Sequence, residues 1–448
     1  MQYGRRVEMV SKKNILVSIN KSNIKSEVPK QIKVKVPPSK SHTIRALYIA
    51  SLAEGESAIS NPLISEDALS ACKVCKAFGA EISENQNGYI VHGVKGQPRV
   101  PEDVVDVGNS GTTLRLGLSV AALVEEGYTV FTGDSQIRRR PVEPLVKALN
   151  KLGAKAFSTR NNGMAPVVVK GRMVGGKTEI DAYTSQFLSS LLISCPLLEK
   201  DTEIKVVRLN EVPYVHMTLW WLDRQGIRYE CDDKLRKIYI YGGQSYKNFE
   251  AAIPGDFSSA TFFMVLAAIS GTEVVLENLD MTDPQGDKMV LSVLESMGAK
   301  VRYTTDSVII KGNGLKGTEI DMNSIPDALP AMAVAGCFAE GETKLVNVPQ
   351  ARLKETDRIS VMHNELKKMG ADIEELPDGL LIRKSKLKGC KVNGHYDHRV
   401  VMALTVAGLN AEGTTDITTA EAVNVTYPEF FDTLMGWGYD ISIESEEC

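Results

Sequence analysis

The sequence predicts an α/β protein of two domains, each built from three copies of one strand-and-helix unit. Three observations predict it. An amphipathic stretch ends at a glycine six times, at Gly79, Gly153, Gly226, Gly298, Gly370 and Gly438, with spacings of 74, 73, 72, 72 and 68 residues. Self-similarity at a fixed spacing marks a repeat architecture. A second stretch, poor in charge and rich in Ala, Leu, Ser and Met, recurs in step with the first. Finally, the chain has 448 residues, more than one hydrophobic core serves, since cores stop growing near roughly 250–300 residues. Six units of about 72 residues therefore divide three and three.

The glycine after each amphipathic stretch reads as a helix C-terminal cap, because glycine tolerates the left-handed conformation that ends a helix. Strands are expected to follow, as in Ala80-Glu81-Ile82, Ala299-Lys300-Val301 and Ala371-Asp372-Ile373. The charge-poor stretches read as buried helices: Ile44 to Ala53, Leu114 to Leu123, Phe187 to Leu198, Thr261 to Ile269, Ala328 to Phe338 and Val400 to Leu409. Five of them end at a glycine of their own: Gly55, Gly127, Gly271, Gly341 and Gly413. Pro and Gly at Val36-Pro37-Pro38 and Ile253-Pro254-Gly255 suit two crossings between the domains. That gives a lower domain of residues 1–37 plus 255–448 and an upper domain of residues 38–254.

Composition narrows the function. Hydrophobic residues at 43% and charged residues at 24% belong to an ordinary globular chain. No run reaches the roughly 18 apolar residues of a membrane span, and the basic N-terminus lacks the apolar stretch of a secretory signal. Residues 1–30 are polar and Lys-rich, so part of them is expected to lack regular structure, with Met9 a second candidate start. Cys72 and Cys75 have C-x-x-C spacing, but apolar neighbours at helical intervals favour two buried thiols over a redox or zinc site. The expectation is a reduced, cytoplasmic protein without metal. The net charge of −4 means that anionic ligands need local clusters of Lys and Arg. The absence of basic stripes with interleaved aromatics argues against nucleic acid.

The polar residues gather where the buried helices begin. The six entries are Ser39-Lys40-Ser41 with Arg45, Asn109-Ser110-Gly111-Thr112 with Arg115, Thr184-Ser185-Gln186, Gly255-Asp256 with Ser258-Ser259, Ile325-Pro326-Asp327, and Asp397-His398-Arg399. Ser, Thr and Asp are ordinary N-caps. Lys and Arg are not expected there, because a cation opposes the positive end of the helix dipole. They fit if an anion joins them, since helix N-termini also offer free N–H groups. Two further segments add charge. Arg138-Arg139-Arg140 is either a solvated patch or, with Pro141 fixing the next turn, an aimed Arg140. In Lys354-Glu355-Thr356-Asp357-Arg358, Lys354 and Arg358 share a face if the stretch is helical. Glu355 beside them is either a surface salt-bridge residue or a proton shuttle.

Together with Arg140-Pro141 and Ser185-Gln186-Phe187, these motifs resemble the 5-enolpyruvylshikimate-3-phosphate synthase family from about residue 32 to the C-terminus, in order. The resemblance implies a two-domain inside-out α/β barrel of six βαβαββ-type units, closing on substrate. It implies transfer of the enolpyruvyl group of phosphoenolpyruvate to the 5-hydroxyl of shikimate 3-phosphate in the shikimate pathway, with no cofactor, no nucleic acid and no membrane, by a monomer. By analogy Lys40, Ser41, Arg45, Thr184, Ser185, Gln186, Tyr214, Asp327, Gln350 and Lys354 would hold shikimate 3-phosphate. Lys40, Gly111, Arg140, Gln186, Arg358 and Arg399 would hold phosphoenolpyruvate. Lys40, Asp327 and Glu355 would be catalytic, Asp327 taking the hydroxyl proton and Glu355 moving a proton at the methylene carbon. The resemblance also implies competition by glyphosate, which Gly111 leaves room for.

Three positions depart from the family's pattern. Glu211 stands where the family often has Ser, Gln350 replaces its Asn, and its C-terminal Lys is missing from Asn424-Val425-Thr426-Tyr427-Pro428. The rival readings are a UDP-N-acetylglucosamine enolpyruvyl transferase, a non-catalytic paralogue and a clamp around nucleic acid. The first motif is Lys40-Ser41 and residues 132–142 contain no Cys, which speaks against the first rival. The two sets of cationic helix ends are expected to repel and hold the cleft open until shikimate 3-phosphate bridges them.

Overall fold

Each repeat folds as strand, helix, strand, helix and a closing hairpin. The computed structural model describes residues 14–21, 29–304 and 307–446. Among them the helices fall in pairs: α1 (Lys40–Leu52) and α2 (Glu66–Ala77), α3 (Gly111–Ala121) and α4 (Glu143–Lys151), α5 (Ser185–Ser194) and α6 (Val212–Arg224). The second half adds α7 (Phe257–Ser270) and α8 (Met289–Ser296), α9 (Leu329–Phe338) and α10 (Arg358–Lys368), α11 (His398–Gly408) and α12 (Phe430–Gly436). The strands form six four-stranded sheets. In the second unit Val105–Asp106 runs parallel to Tyr128–Thr132, which pairs antiparallel with Val167–Lys170, itself paired antiparallel with Lys155–Ser158. The other five sheets repeat this order.

The first helix of each pair is apolar on all faces and lies inside, as such a helix must. All eleven residues of α3 and all eleven of α11 are buried. The sheets cover these helices, which is the inside-out barrel. Buried residues form two cores, one running from Ile44 to Ile253 and one joining Val17, Ile19, Val34 and Val36 to residues 257–441. We call them the upper and lower lobes. The six glycines after the second helices all have positive φ, from 66° to 116°, as the capping argument required.

Three units borrow a strand. Gln31–Lys35 pairs with Glu273–Glu277 in the lower lobe and feeds α1 of the upper one. Glu250–Ala252 pairs with Glu56–Ser60 in the upper lobe and feeds α7 of the lower one. The two crossings lie side by side: Ser39 N–H donates to the Pro254 carbonyl and Asp256 N–H to the Pro37 carbonyl, both at 2.8 Å. Asn14–Asn20 completes the last sheet between Thr414–Thr418 and Ile441–Glu446. The part of residues 1–30 expected to lack regular structure therefore does not include this segment: Val17 and Ile19 alternate inward and are fully buried. Residues 1–13, with Met9, and 22–28 lie outside the described residues.

Five of the six buried helices begin earlier than their apolar runs suggested, so their polar motifs reach into the first turn; the sixth, α9, begins at Leu329, after a 3-10 turn over Pro326–Ala328 that carries Asp327. The stretch from Lys354 to Asp357 is not helical. A 3-10 turn spans Pro349–Leu353 and α10 starts at Arg358, where the Asp357 side chain accepts from Ser360 N–H. Lys354 and Arg358 therefore do not share a helix face, although both reach Asp327. Cys72 and Cys75 lie buried on α2 as free thiols, and burial raises them to about 11 and about 12. No helix among the described residues is long and apolar enough to cross a membrane.

A candidate active site between the lobes

The starts of the inner helices from both lobes meet at a cavity between the lobes. The upper lobe lines it with Lys40 of α1, Gly111, Thr112 and Arg115 of α3, Arg140 before α4, Thr184 and Gln186 at α5, and Glu211 before α6. The lower lobe supplies Asp327, Gln350, Lys354, Glu355, Arg358 and Arg399. With Asp67, four carboxylates face six cationic side chains on the wall, an excess of two positive charges.

Capping explains part of this arrangement. Ser39, Ser110, Asp256 and Asp397 each accept from a backbone N–H in the first turn of their helix. Thr184 makes no such bond. Asp327 sits in a 3-10 turn that runs into α9 and faces the cavity instead.

Asp327 meets Arg358 Nη1 at 2.8 Å, Arg399 Nη2 at 3.0 Å and Lys354 Nζ at 3.7 Å. Burial alone would raise its pKa, but Arg399, then Lys354, Arg358 and Lys40, outweigh burial and hold it well below the usual carboxylate range. Glu355 meets Arg358 Nη2 at 2.5 Å and Arg140 Nη2 at 3.3 Å. Burial would raise it too, but Arg140, then Arg358, with Lys40 beyond them, hold it well below the usual range. Arg358 thus bridges the two acids, with Asp397 behind it at 2.8 Å.

The opposite wall is short of acceptors. Arg140 is 5% exposed, and neither its Nε nor its Nη2 makes a hydrogen bond; the contact of Nη2 with Glu355 is one of distance without hydrogen-bond geometry. Burial and then the neighbouring Arg140 depress Arg115 to about 10. Gly111 makes room for both guanidinium groups, since a Cβ there would stand 2.6 Å from Arg140 Nη1 and 2.8 Å from Arg115 Nη1. Buried, underbonded guanidinium groups are a seat for a multivalent anion.

Four residues expected at the site, Ser41, Arg45, Ser185 and Tyr214, stand behind the wall rather than on it. Arg45 is buried and donates to the carbonyls of Ser41 and Tyr214 and to the Thr218 hydroxyl. Ser185 is held by Glu211. The Tyr214 hydroxyl donates to Asp287 at 2.7 Å and reaches Asp327 at 3.4 Å. Gln350 does line the wall, donating to the Asn323 carbonyl at 3.2 Å. None of residues 424–428 lines it, though Val425 borders the adjoining cleft.

Sequence reasoning missed two groups. Asp287 lies behind Tyr214, and burial, then Asp327, pushes it up to about 6. His398 is fully buried with neither ring nitrogen bonded, and burial, Lys40 and Arg399 hold it neutral. His398 sat inside a quoted motif and could have been singled out. Nothing in Gln285-Gly286-Asp287 marks an acid.

The expectation of mutual repulsion between the lobes is not what the structure shows. Carboxylates lie between the cations and tie the lobes together. Lys354 pairs with Glu211 and Arg140 with Glu355. Farther back His42 meets Asp283 at 3.1 Å.

Cationic helix ends around two ionised acids, in a cavity shared by two inside-out α/β lobes, define a transferase that handles small anionic substrates. The comparisons make this specific. The EPSP synthase profile, described as 3-phosphoshikimate 1-carboxyvinyltransferase, matches residues 24–434. The 3-phosphoshikimate 1-carboxyvinyltransferase of Acetivibrio thermocellus is 68% identical over 409 residues, covering 91% of this chain and 96% of that protein. That of Ruminiclostridium cellulolyticum is 60% identical over 429 residues, covering 96% and 100%. A solved EPSP synthase from Acinetobacter baumannii superposes with a TM-score of 0.79 at 29% identity, covering 96% of this chain and all of that one. The chain belongs to the EPSP synthase family. It is a transferase of the shikimate pathway, moving the enolpyruvyl group of phosphoenolpyruvate to the 5-hydroxyl of shikimate 3-phosphate and releasing phosphate.

Proposed function

We propose that the inter-lobe cavity is where this transfer occurs, with the two acids of the lower lobe moving the protons. Shikimate 3-phosphate is held by Lys40, Ser41, Arg45, Thr184, Ser185, Gln186, Tyr214, Asp327, Gln350 and Lys354, with Ser41, Arg45, Ser185 and Tyr214 acting from behind the wall. Phosphoenolpyruvate is held by Lys40, Gly111, Arg140, Gln186, Arg358 and Arg399. Asp327 accepts the 5-hydroxyl proton as the oxygen attacks the central carbon of phosphoenolpyruvate. Glu355 delivers a proton to the methylene carbon, giving a tetrahedral adduct. It takes one back as the C–O bond to phosphate breaks and the double bond reforms.

The observation that carries this reading is the bridge: Arg358 holds Asp327 and Glu355 on one wall, opposite the underbonded Arg140. Asp327 is ionised, as a base must be. Glu355 is ionised too, which opposes an acid role. Its low pKa comes from Arg140 and Arg358, and an anion on those groups relieves it, so binding phosphoenolpyruvate itself creates the acid form.

All these residues lie on one chain, which supports a monomer, with domain boundaries at residues 37/38 and 254/255 where the paired crossings run. The chemistry is proton transfer between carboxylates and needs no cofactor. A cytoplasmic setting fits the free thiols and the pathway. Phosphate release from phosphoenolpyruvate and shikimate 3-phosphate by the purified, chelator-treated chain tests the reading. Release that stops after chelation contradicts the cofactor-free chemistry, and release unaffected by both Glu355→Gln and Asp327→Asn contradicts the roles. Sedimentation tests the monomer.

A further inference from the structure

The start of α5 is already occupied by an anion, and that anion belongs to the protein. Glu211 is 2% exposed. Its Oε2 accepts from Ser185 N–H at 3.0 Å, from the Ser185 hydroxyl at 2.8 Å and from the Thr184 hydroxyl at 3.1 Å. Its Oε1 receives the ammonium of Lys354, which comes from the lower lobe. A backbone N–H at a helix start, two hydroxyls and a lysine are the donor set that a phosphate monoester uses. Thr184 leaves α5 without a side-chain cap of its own, and Glu211 fills that role from the start of α6, 26 residues beyond Ser185.

The backbone serves this placement. Glu211 has φ 59°, in the left-handed region that residues other than glycine seldom adopt. Its own N–H faces the Asn323 side chain of the lower lobe at 3.4 Å. Its neighbour Asn210 exchanges side-chain contacts with Asn323 at 3.2 Å and Gln350 at 3.4 Å. Residues 210–211 are therefore the strip through which the upper lobe grips the lower one at this end of the cavity.

We infer that Glu211 is a positioning residue that acts as a latch. Its carboxylate holds the anion seat at the start of α5 and pins it to Lys354, and the phosphate of the incoming substrate takes the seat by displacing it. The inference rests on the placement of shikimate 3-phosphate proposed above. A carboxylate and a phosphate dianion cannot share one set of donors in a buried site, because their repulsion there is only weakly screened. The substrate's apparent affinity is thus its intrinsic affinity reduced by the fraction of molecules whose seat is vacated. An alcohol without a phosphate has nothing to displace the carboxylate with, so the latch also selects for the phosphorylated substrate.

The test compares wild type with E211Q, which keeps the shape, and E211S, which empties the seat, each checked for an unchanged cooperative melt. The latch predicts that both variants lower the KM for shikimate 3-phosphate, by about tenfold if one charge-assisted pair is removed. The KM for phosphoenolpyruvate stays within about twofold. It also predicts a larger radius of gyration for ligand-free E211S by small-angle scattering. An unchanged or raised KM for shikimate 3-phosphate in both variants overturns the latch. S185A separates this from a misplaced substrate. A raised KM for shikimate 3-phosphate in S185A, with phosphoenolpyruvate unaffected, supports the placement. An unchanged KM removes the placement and the latch with it.

Discussion

The two ends of the cavity are built from the same part, the start of a buried helix, and are finished in opposite ways. At the α5–α6 end every donor is met by protein: Glu211 takes Thr184, Ser185 and Lys354, and Asp287 takes Tyr214. At the α3–α4 end Arg140 keeps two guanidinium nitrogens without a hydrogen bond, and Gly111 adds no side chain at all. One end is an occupied seat and the other an open one. The same helix geometry that attracts an anion therefore does not say whether the ligand must compete for its place. That depends on which neighbouring side chain reaches the helix start first.

The largest effects should come from the wall both ends share. Glu355→Gln and Asp327→Asn should each lower kcat by about 10²–10⁴-fold, the usual loss for a general acid or base, with a cooperative melt retained. Phosphate release under saturating substrates measures it. Asp327→Asn should also lose stability, because the buried Arg399 keeps its charge and loses its carboxylate partner.

Gly111→Ala tests the open end. The added Cβ collides with the tips of Arg140 and Arg115, which must move away from where an anion binds. The KM for phosphoenolpyruvate should rise by about tenfold or more, the worth of one charge-assisted contact. The KM for shikimate 3-phosphate should change little, and competition by glyphosate should weaken in parallel. Equal rises in both KM values would show that the two ends are one seat.

The excess of carboxylates at the occupied end has a signature in pH. Asp287 is raised to about 6 by burial and then by Asp327. Its folded pKa lies above the unfolded one, so its contribution to stability is complete below about pH 4 and is lost as pH rises through about 6. Asp327 and Glu355 are depressed. Theirs is complete above the ordinary carboxylate range and is lost as pH falls through the depressed values. Asp287→Asn should therefore gain about 1–3 kcal/mol relative to wild type above pH 6 and nothing near pH 4. Thermal melts of both proteins from pH 4 to 8 would read the difference. A gain independent of pH would point to packing instead.

Much of this was legible before any coordinates. The repeat fixed the unit and its count, because a glycine cap and a charge-poor helix leave marks in composition. The motifs then named most of the cavity wall. What stayed hidden is what depends on the third dimension. The strand Asn14–Asn20 looked like a polar tail, since a strand with only Val17 and Ile19 fully buried carries little apolar signal. Lys354 and Arg358 converge through a 3-10 turn and a helix start rather than along one helix. Asp287 owes its high pKa to burial beside Asp327, 40 residues away in sequence, and no local pattern encodes that.

The smallest expected effect separates capping from ligand binding, which the sequence could not do. Ser110 and Ser185 both stand at the start of an inner upper-lobe helix. Ser110 caps α3, accepting from Thr113 N–H at 3.4 Å and donating to the Thr113 hydroxyl at 2.8 Å, with nothing from the cavity on it. Ser185 sits inside α5 and spends its hydroxyl on Glu211. Ser110→Ala should cost about 1 kcal/mol of stability, as lost caps do, and leave both KM values unchanged. S185A should have the reverse profile, a small change in melting and a selective change in the KM for shikimate 3-phosphate. Melting curves and initial rates on the two variants together make the comparison. If Ser110→Ala also shifted the KM for phosphoenolpyruvate, the cap would be setting the position of Gly111 and Arg115, and the open end would be less preformed than its unbonded nitrogens suggest.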